Sequence, residues 1–130
     1  MKRRGRWQAV DGFRSDKPLT EEQEEYHRTI QCGWKIAPLP SVQVIRSALS
    51  KIGFEDICVR DLSEMAYPSA FIAIRNSVMN KEKISEASLS LSPEETRLLT
   101  EHNSAGAAIS YGLIEGAFTY HLLGGAKKKD

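Results

Sequence analysis

The segment from Ser41 to Leu62 constrains the fold most, because it joins a helix pattern to a strand pattern through one glycine. Ser41 is a typical N-cap residue, and apolar residues follow it at positions 42, 45, 48, 49 and 52, until Gly53 ends the pattern. Apolar and polar side chains then alternate between positions 57 and 60, as they do in a strand. A helix that leads through glycine into a strand predicts an α/β layer.

Two further segments have strand alternation. The run RWQAVDGF, from Arg6 to Phe13, predicts the first strand. The run AFTYHLL follows Gly116 and predicts a last strand that ends at the pair Gly124 and Gly125.

Three more helices are expected. Thr20 and Gln23 have the spacing of a capping box, so a helix should begin there and end near Gly33. Pro68 is expected in the first turn of the next helix, and the polar segment from 81 to 91 is expected to be a mobile loop. Ser92 and a proline after it predict a long helix from 93 to about 114, with small residues at 105–108 that permit close packing.

Composition limits the class of protein. The 130 residues, 41% of them hydrophobic, suffice for one domain with one modest core. Because 18 Lys and Arg nearly balance 17 Asp and Glu, nucleic acid is not an expected partner, and the basic clusters at 2–6 and 127–129 are expected to be solubilising tails. Cys32 and Cys58 lack the spacing of a metal site and fit reduced thiols in a cytoplasmic protein. No apolar run reaches the roughly 18 residues that a membrane span needs, so no membrane association is expected.

Three sequence phrases, in chain order, resemble parts of one family. RRGRWQAVDGFR with DKPL is similar to the family's fifth strand and its exit, and SALSKIGFEDICVRDLSEMAYPS to the entry into its sixth strand with an Asp-Leu-Ser turn. IEGAFTYHLLGGAKK is similar to the seventh strand, with a Tyr near its middle and a final Ala-Lys-Lys. Nearly the whole chain thus resembles the C-terminal half of class I S-adenosylmethionine-dependent methyltransferases of the small-molecule type.

The resemblance implies an α/β, partial Rossmann-like methyltransferase fold, with a three-stranded mixed sheet and about four helices. The last strand should lie between the first and the middle strand, antiparallel to both. The first strand would then have an unpaired edge, and an unpaired edge favours association.

The family's donor-binding motif is absent from the sequence. In the family a glycine-rich turn follows the first strand, and an acidic residue after the second strand binds the ribose. No GxGxG occurs here, and the pair Gly124 and Gly125 follows the predicted last strand. S-adenosylmethionine is therefore the cofactor of the complete fold and is not expected to bind this chain alone. Residues 1–130 are expected to form a single partial domain, which a truncated reading frame, a split gene or a deliberate fragment would explain.

The resemblance also suggests substrate-binding residues. Helices after the fifth strand help to cover the acceptor in related enzymes, so Trp34, in the connection CGWKIAPLP, is a candidate, with packing against Pro38 or Pro40 as the alternative. Tyr26 and Tyr120 are the other candidates. No catalytic, cofactor-binding or metal-binding residue can be assigned.

The three histidines are weaker candidates. His27 lies on a charged helix and is expected to be exposed to solvent, and His121 in the last strand is expected to be structural. His102 is either a core residue or a residue at the edge of the surface.

Two functional hypotheses follow. The chain is either the acceptor-covering part of a methyltransferase for a small molecule, completed by a separate N-terminal half and inactive alone, or a noncatalytic interaction module or remnant. In the second case the open sheet edge would join two copies in a homodimer.

Overall fold

The computed structural model describes residues 5–127, so the basic residues at 2–4 and 128–129 lie outside the described part. Within it the chain forms β1 (Arg6–Arg14), α1 (Glu21–Trp34), α2 (Val42–Lys51), β2 (Phe54–Asp61), α3 (Ser63–Ala87), α4 (Pro93–Glu115) and β3 (Phe118–Lys127). The predicted α/β class, with three strands and about four helices, is confirmed for this part of the chain. None of these helices is both long enough and apolar enough to cross a bilayer.

The sheet has the predicted order, with β3 between β1 and β2. Both pairings are antiparallel, so β1 and β2 point in the same direction. The pairing of β1 with β3 is regular from Arg6 opposite Ala126 to Arg14 opposite Phe118. The pairing of β2 is irregular between Glu55 and Cys58.

The outer edge of β1 is partly open. The Ser15 N–H donates to the Ala117 carbonyl and the Lys127 N–H to the Gly5 carbonyl, each at 2.9 Å. In β1, therefore, the backbone N–H and C=O groups of the odd-numbered residues point toward β3, and those of the even-numbered residues point away from it. The N–H of Val10 therefore points away from the sheet.

The carboxyl-terminal part of the same edge is blocked. The Gly12 N–H donates to the carboxylate of Asp11 at 2.8 Å, and the Arg14 N–H donates to the Pro40 carbonyl at 3.0 Å. Another strand can therefore pair with β1 only along its first half.

Apolar clusters lie on the two faces of the sheet. On one face Phe13 and Leu123 pack with Val42 of α2, and Ile45 and Leu49 cover them as the helical spacing predicted. Ala48 and Ile52, which the same pattern placed on the apolar stripe, are exposed, the second because α2 ends at Lys51. On the other face a cluster forms around Phe118 of β3, with the members Ile30, Ala108 and Ala117.

Helices α1, α4 and α3 form a layer beyond the end of the sheet, with α4 packed between the other two. The small residues of α4 permit the close approach to α1 that was expected. A Cβ on Gly33 of α1 would lie 2.2 Å from the Glu101 carbonyl oxygen and 2.6 Å from the Ala105 Cβ. A Cβ on Gly112 would overlap the ring of Phe118.

The predicted start of α3 at Pro68 is wrong, because the helix begins at Ser63 and contains the proline. The Ser63 N–H donates to the Asp61 carboxylate at 2.8 Å, and the Ser63 hydroxyl accepts the Tyr120 N–H at 3.0 Å. These bonds fix the first turn before the proline, at the expense of one helical hydrogen bond at Pro68.

Two other predicted boundaries differ from the structure. Residues 81–87, expected in a loop, continue α3, because Lys, Glu and Ala favour helix and because Ile84 is half-buried. The strand β3 continues through both glycines to Lys127, since they pair with β1. A Cβ on Gly125 would lie 3.1–3.2 Å from the Trp7 ring, so glycine leaves room for the indole.

Candidate functional site

The carboxyl ends of β1 and β2 lie at one end of the sheet, next to the amino end of β3. The elements α1 and α3 begin after these two strands, and α4 ends just before β3. Ligands of open α/β sheets bind beyond the carboxyl ends of the parallel strands. This end of the sheet, with the three helices that cover it, is therefore the candidate functional site.

A charged pair stands at the end of β1. An Arg14 Nη donates to the Glu24 carboxylate of α1 over 2.6 Å, and about a third of each side chain is exposed. Glu24 lies in the first turn of α1, where a carboxylate also interacts favourably with the helix dipole. The pair anchors the start of α1 to the sheet.

Next to this pair, His27 is 3% exposed, so the expectation that it is solvent-exposed is wrong. Its Nε2 accepts the Leu39 N–H at 2.9 Å, and its ring lies 5.9 Å from the ring of Phe118. Burial lowers the pKa of His27, the charge of Arg14 lowers it further, and Glu24 opposes both. The imidazole is therefore neutral and serves as a hydrogen-bond acceptor for the loop.

A second histidine, His121, lies on the central strand at this end of the sheet. His121 of β3 lies between Asp11 of β1 and Asp61 of β2, which are its partners across the two strands. The side chain is buried against the edge of the Phe13 ring, as a structural histidine would be. Its Nε2 is 3.9 Å from the Asp61 carboxylate, and its Nδ1 has no hydrogen-bond partner in the described part of the chain.

Asp61, next to His121 on β2, connects the sheet to the start of α3. Partial burial alone would raise the pKa of its carboxyl, but hydrogen bonds from the Ser63 hydroxyl and N–H, together with His121, lower it. The carboxylate is therefore ionised near neutral pH, and it holds the start of α3 against the amino end of β3.

Tyr26 lies on α1, half-buried against the cluster around Phe118. Its ring stacks on that of Tyr111 with 6.2 Å between centroids, and its hydroxyl donates to Glu22 at 3.1 Å. Burial, and then the carboxylates of Glu115 and Glu22, raise the pKa of the hydroxyl well above its ordinary value. Tyr26 can therefore donate a hydrogen bond here but does not act as a base.

Tyr120 and Trp34 are both partly exposed but lie in different places. Tyr120 lies two residues after Phe118, on the same face of β3, so it flanks the cluster that Tyr26 also contacts. Trp34 is the last residue of α1 and lies about 12 Å farther along the helix than Tyr26. The fold thus brings the two tyrosines to this end of the sheet and leaves Trp34 at the far end of α1.

The sequence analysis missed the contacts at this end of the sheet. One of them, the hydrogen bond between Leu39 and His27, could have been inferred from the sequence. Leu39 stands between Pro38 and Pro40, so its N–H is the one backbone donor in that tripeptide. A buried acceptor such as His27 was required if the loop packed against α1.

Within residues 5–127 the two consecutive glycines do not form a turn of the kind that binds the methyl donor. Gly124 and Gly125 lie inside β3, where the side chains of Cys58 and Trp7 occupy the space that the missing Cβ atoms leave. They form no turn whose N–H groups could face a nucleoside. Within residues 5–127 no group of three or more His, Cys, Asp or Glu side chains is placed to hold a metal ion.

No protein-family model matches the sequence, and no curated protein matches it either. Among solved structures the chain is similar to phosphoethanolamine N-methyltransferase 2 of Haemonchus contortus, in complex with phosphomonomethylethanolamine and S-adenosylhomocysteine. The TM-score is 0.62 and the identity 16%, and the match covers 99% of this chain and 28% of that one. At this identity the likeness concerns the fold alone: these residues adopt the fold of part of an S-adenosylmethionine-dependent methyltransferase.

Proposed function

We propose that this chain is the acceptor-covering part of an S-adenosylmethionine-dependent methyltransferase that acts on a small molecule. Residues outside these 130 would supply the donor-binding turn. The observation that carries the proposal is the match itself, which covers 99% of this chain but only 28% of a methyltransferase. The open first half of β1 supports it, since a further strand can pair there.

The helix layer is suited to cover an acceptor. Methyl transfer requires the nucleophile to approach the donor methyl in line, so positioning and exclusion of water dominate its catalysis. The proposed role of the layer is to hold the acceptor beyond the strand ends, with Tyr26 and Tyr120 beside it. Trp34 would contact only an acceptor that extends along α1.

Donor binding by a reconstituted complex tests the proposal. The chain is co-expressed with a GxGxG-containing N-terminal half of a related enzyme, and S-adenosylmethionine binding is measured by calorimetry for the chain, for the half and for their complex. We expect no binding by the chain alone and binding by the complex that exceeds that of the half. Micromolar binding by the chain alone, or a half that gains nothing from it, would contradict the proposal.

A second candidate function is a noncatalytic module that associates through the β1 edge. The observation in its favour is that Val10 offers an unpaired N–H within the described residues. Such a module would form homodimers through β1 and would give no donor binding in the reconstitution.

A further inference from the structure

A cleft lies between α3 and α4, in the parts of the two helices nearest to their connecting loop. Its volume is about 310 Å³. Clefts between packed helices are a common place for small-molecule sites, which measure about 300–1,000 Å³. The lining residues form one row on each helix, three or four positions apart: Asn80, Lys83, Ile84 and Ala87 on α3, and Leu99, His102 and Asn103 on α4.

Side-chain amides join the two helices at the end of the cleft that is nearer to the sheet. The Asn80 amide donates to the Asn103 side-chain carbonyl at 3.4 Å, and the Asn103 amide donates to the Ser77 backbone carbonyl at 3.0 Å. At the other end of the cleft, Ala87 has only a methyl group to extend toward α4. The cleft therefore results from a small residue next to a fixed contact between the helices.

The polar side chains of the cleft are suited to an anion. Lys83 carries a positive charge, and His102 has at least one ring N–H in either tautomer. Neither residue forms an ion pair within residues 5–127. No carboxylate lines the cleft between the described helices. The remaining wall, made of Ile84, Ala87 and Leu99, is apolar.

We propose that this cleft binds a small amphipathic carboxylate. The carboxylate accepts hydrogen bonds from Lys83 and His102, of which the bond from the ammonium is charge-assisted. The hydrocarbon part lies against Ile84, Ala87 and Leu99 and loses contact with water. Because the cleft has the volume of roughly ten water molecules, it accommodates only a short hydrocarbon chain or a single ring.

The cleft is separate from the candidate functional site. Asn80 lies 17 positions after Ser63, the first residue of α3, which places the cleft about 25 Å along the helix from the sheet. It is also distant from the β1 edge, because α3 lies on the β2 side of the molecule. Binding in the cleft therefore requires neither the methyl donor nor a partner at β1.

Titration of the isotope-labelled chain with octanoate, followed by NMR, tests the proposal. Saturable shifts are expected for the amides of residues 80–87 and 99–103, with a dissociation constant of about 1 mM for a ligand of this size. Acetate has the charge without the chain, and octanol has the chain without the charge. Each should bind more weakly than octanoate, because each lacks one of the two kinds of contact.

Two lysines of α3 provide a matched pair of variants. Lys83 lines the cleft, whereas Lys81 is also exposed but stands two positions away, on another side of the helix. Lys83→Met should weaken octanoate binding by about fivefold, the effect of one ion pair at a surface, and Lys81→Met should not change it. Ala87→Phe should fill the cleft and abolish the shifts, with a circular dichroism spectrum unchanged from wild type.

The other outcomes overturn the proposal. The absence of saturable shifts at about 10 mM octanoate would do so. So would equal affinity of Lys83→Met and the wild-type chain, or octanol that binds as well as octanoate. Shifts confined to exposed apolar residues such as Phe71 and Val78 would mean that octanoate adheres to the outer side of α3 instead. Lys83→Met should leave donor binding by the reconstituted complex unchanged, so this proposal and the proposed function can fail separately.

Discussion

His27 makes the stability of this protein depend on pH at the scale of a single residue. The neutral imidazole accepts the Leu39 N–H, and the groups around it are Arg14 of β1, Glu24 of α1 and the ring of Phe118. Protonation would remove the acceptor lone pair and would place a buried cation beside Arg14. Burial and Arg14 therefore both lower the pKa in the folded state.

We predict that acid destabilises the chain through His27. Because the folded pKa is below the ordinary value of 6.5, the unfolded state binds more protons, so the free energy of unfolding falls as the pH falls below about 6.5. His27→Gln keeps an acceptor but does not titrate, and its unfolding free energy should depend less on pH between about 7 and 5. Urea titrations at several pH values measure this slope.

The exposed His102 provides the control for that experiment. His102→Gln should have the slope of the wild-type chain. If His27→Gln also had the wild-type slope, the acid sensitivity would not come from His27.

At the scale of the elements, the contact of α1 with α4 depends on glycine at one position and not at another. Gly33 faces the Glu101 carbonyl, whereas Gly106 in the middle of α4 has no atom within 4 Å of where a Cβ would be. Gly33→Ala should push the helices apart and destabilise the chain by about 1–3 kcal/mol. Gly106→Ala should stabilise it by about 0.5–1 kcal/mol, because alanine loses less backbone entropy in a helix.

Thermal and urea unfolding of the two glycine variants measure the difference. Opposite signs are expected. If Gly33→Ala stabilised the chain as well, helix propensity and not the close contact would determine the effect at position 33.

The helices also show what sequence can and cannot predict. Thr20, Ser41 and Ser92 each accept an N–H from a residue three positions later, so their caps are local and were predicted. The start of α3 depends on the hydrogen bond from the Tyr120 N–H to the Ser63 hydroxyl. These two residues are 57 positions apart, so no local sequence pattern predicts the bond. For the same reason the prediction identified the strands of the candidate site but missed the burial of His27.

At the scale of the whole molecule, the three-stranded sheet was predicted from family resemblance rather than from residue patterns. Alternation identifies strands but not their order, and a central β3 follows only if the chain resembles the methyltransferase half. The TM-score of 0.62 to part of a methyltransferase agrees with this strand order at the level of the fold. The roles of Tyr26, Trp34 and Tyr120 stay predictions, because they concern contacts with the acceptor of the proposed function.

The β1 edge supplies a prediction about how the fold is completed. The N–H of Val10 points outward, whereas that of Ala9 points toward β3. Val10→Pro should therefore leave the fold of the chain almost unchanged but remove a donor to an added strand. Its complex with a GxGxG-containing half should be weakened by about tenfold, the effect of one lost hydrogen bond and of the ring that blocks the approaching strand.

Ala9→Pro is the matched control, since it removes a hydrogen bond inside the sheet. It should lower the melting temperature of the chain itself, whereas Val10→Pro should not. Calorimetric titration of the half into each variant that remains folded measures the affinity. Equal affinity of Val10→Pro and the wild-type chain would show that the half does not pair with the first half of β1, the part of the edge that Asp11 and Pro40 do not block. The half would then bind to another surface.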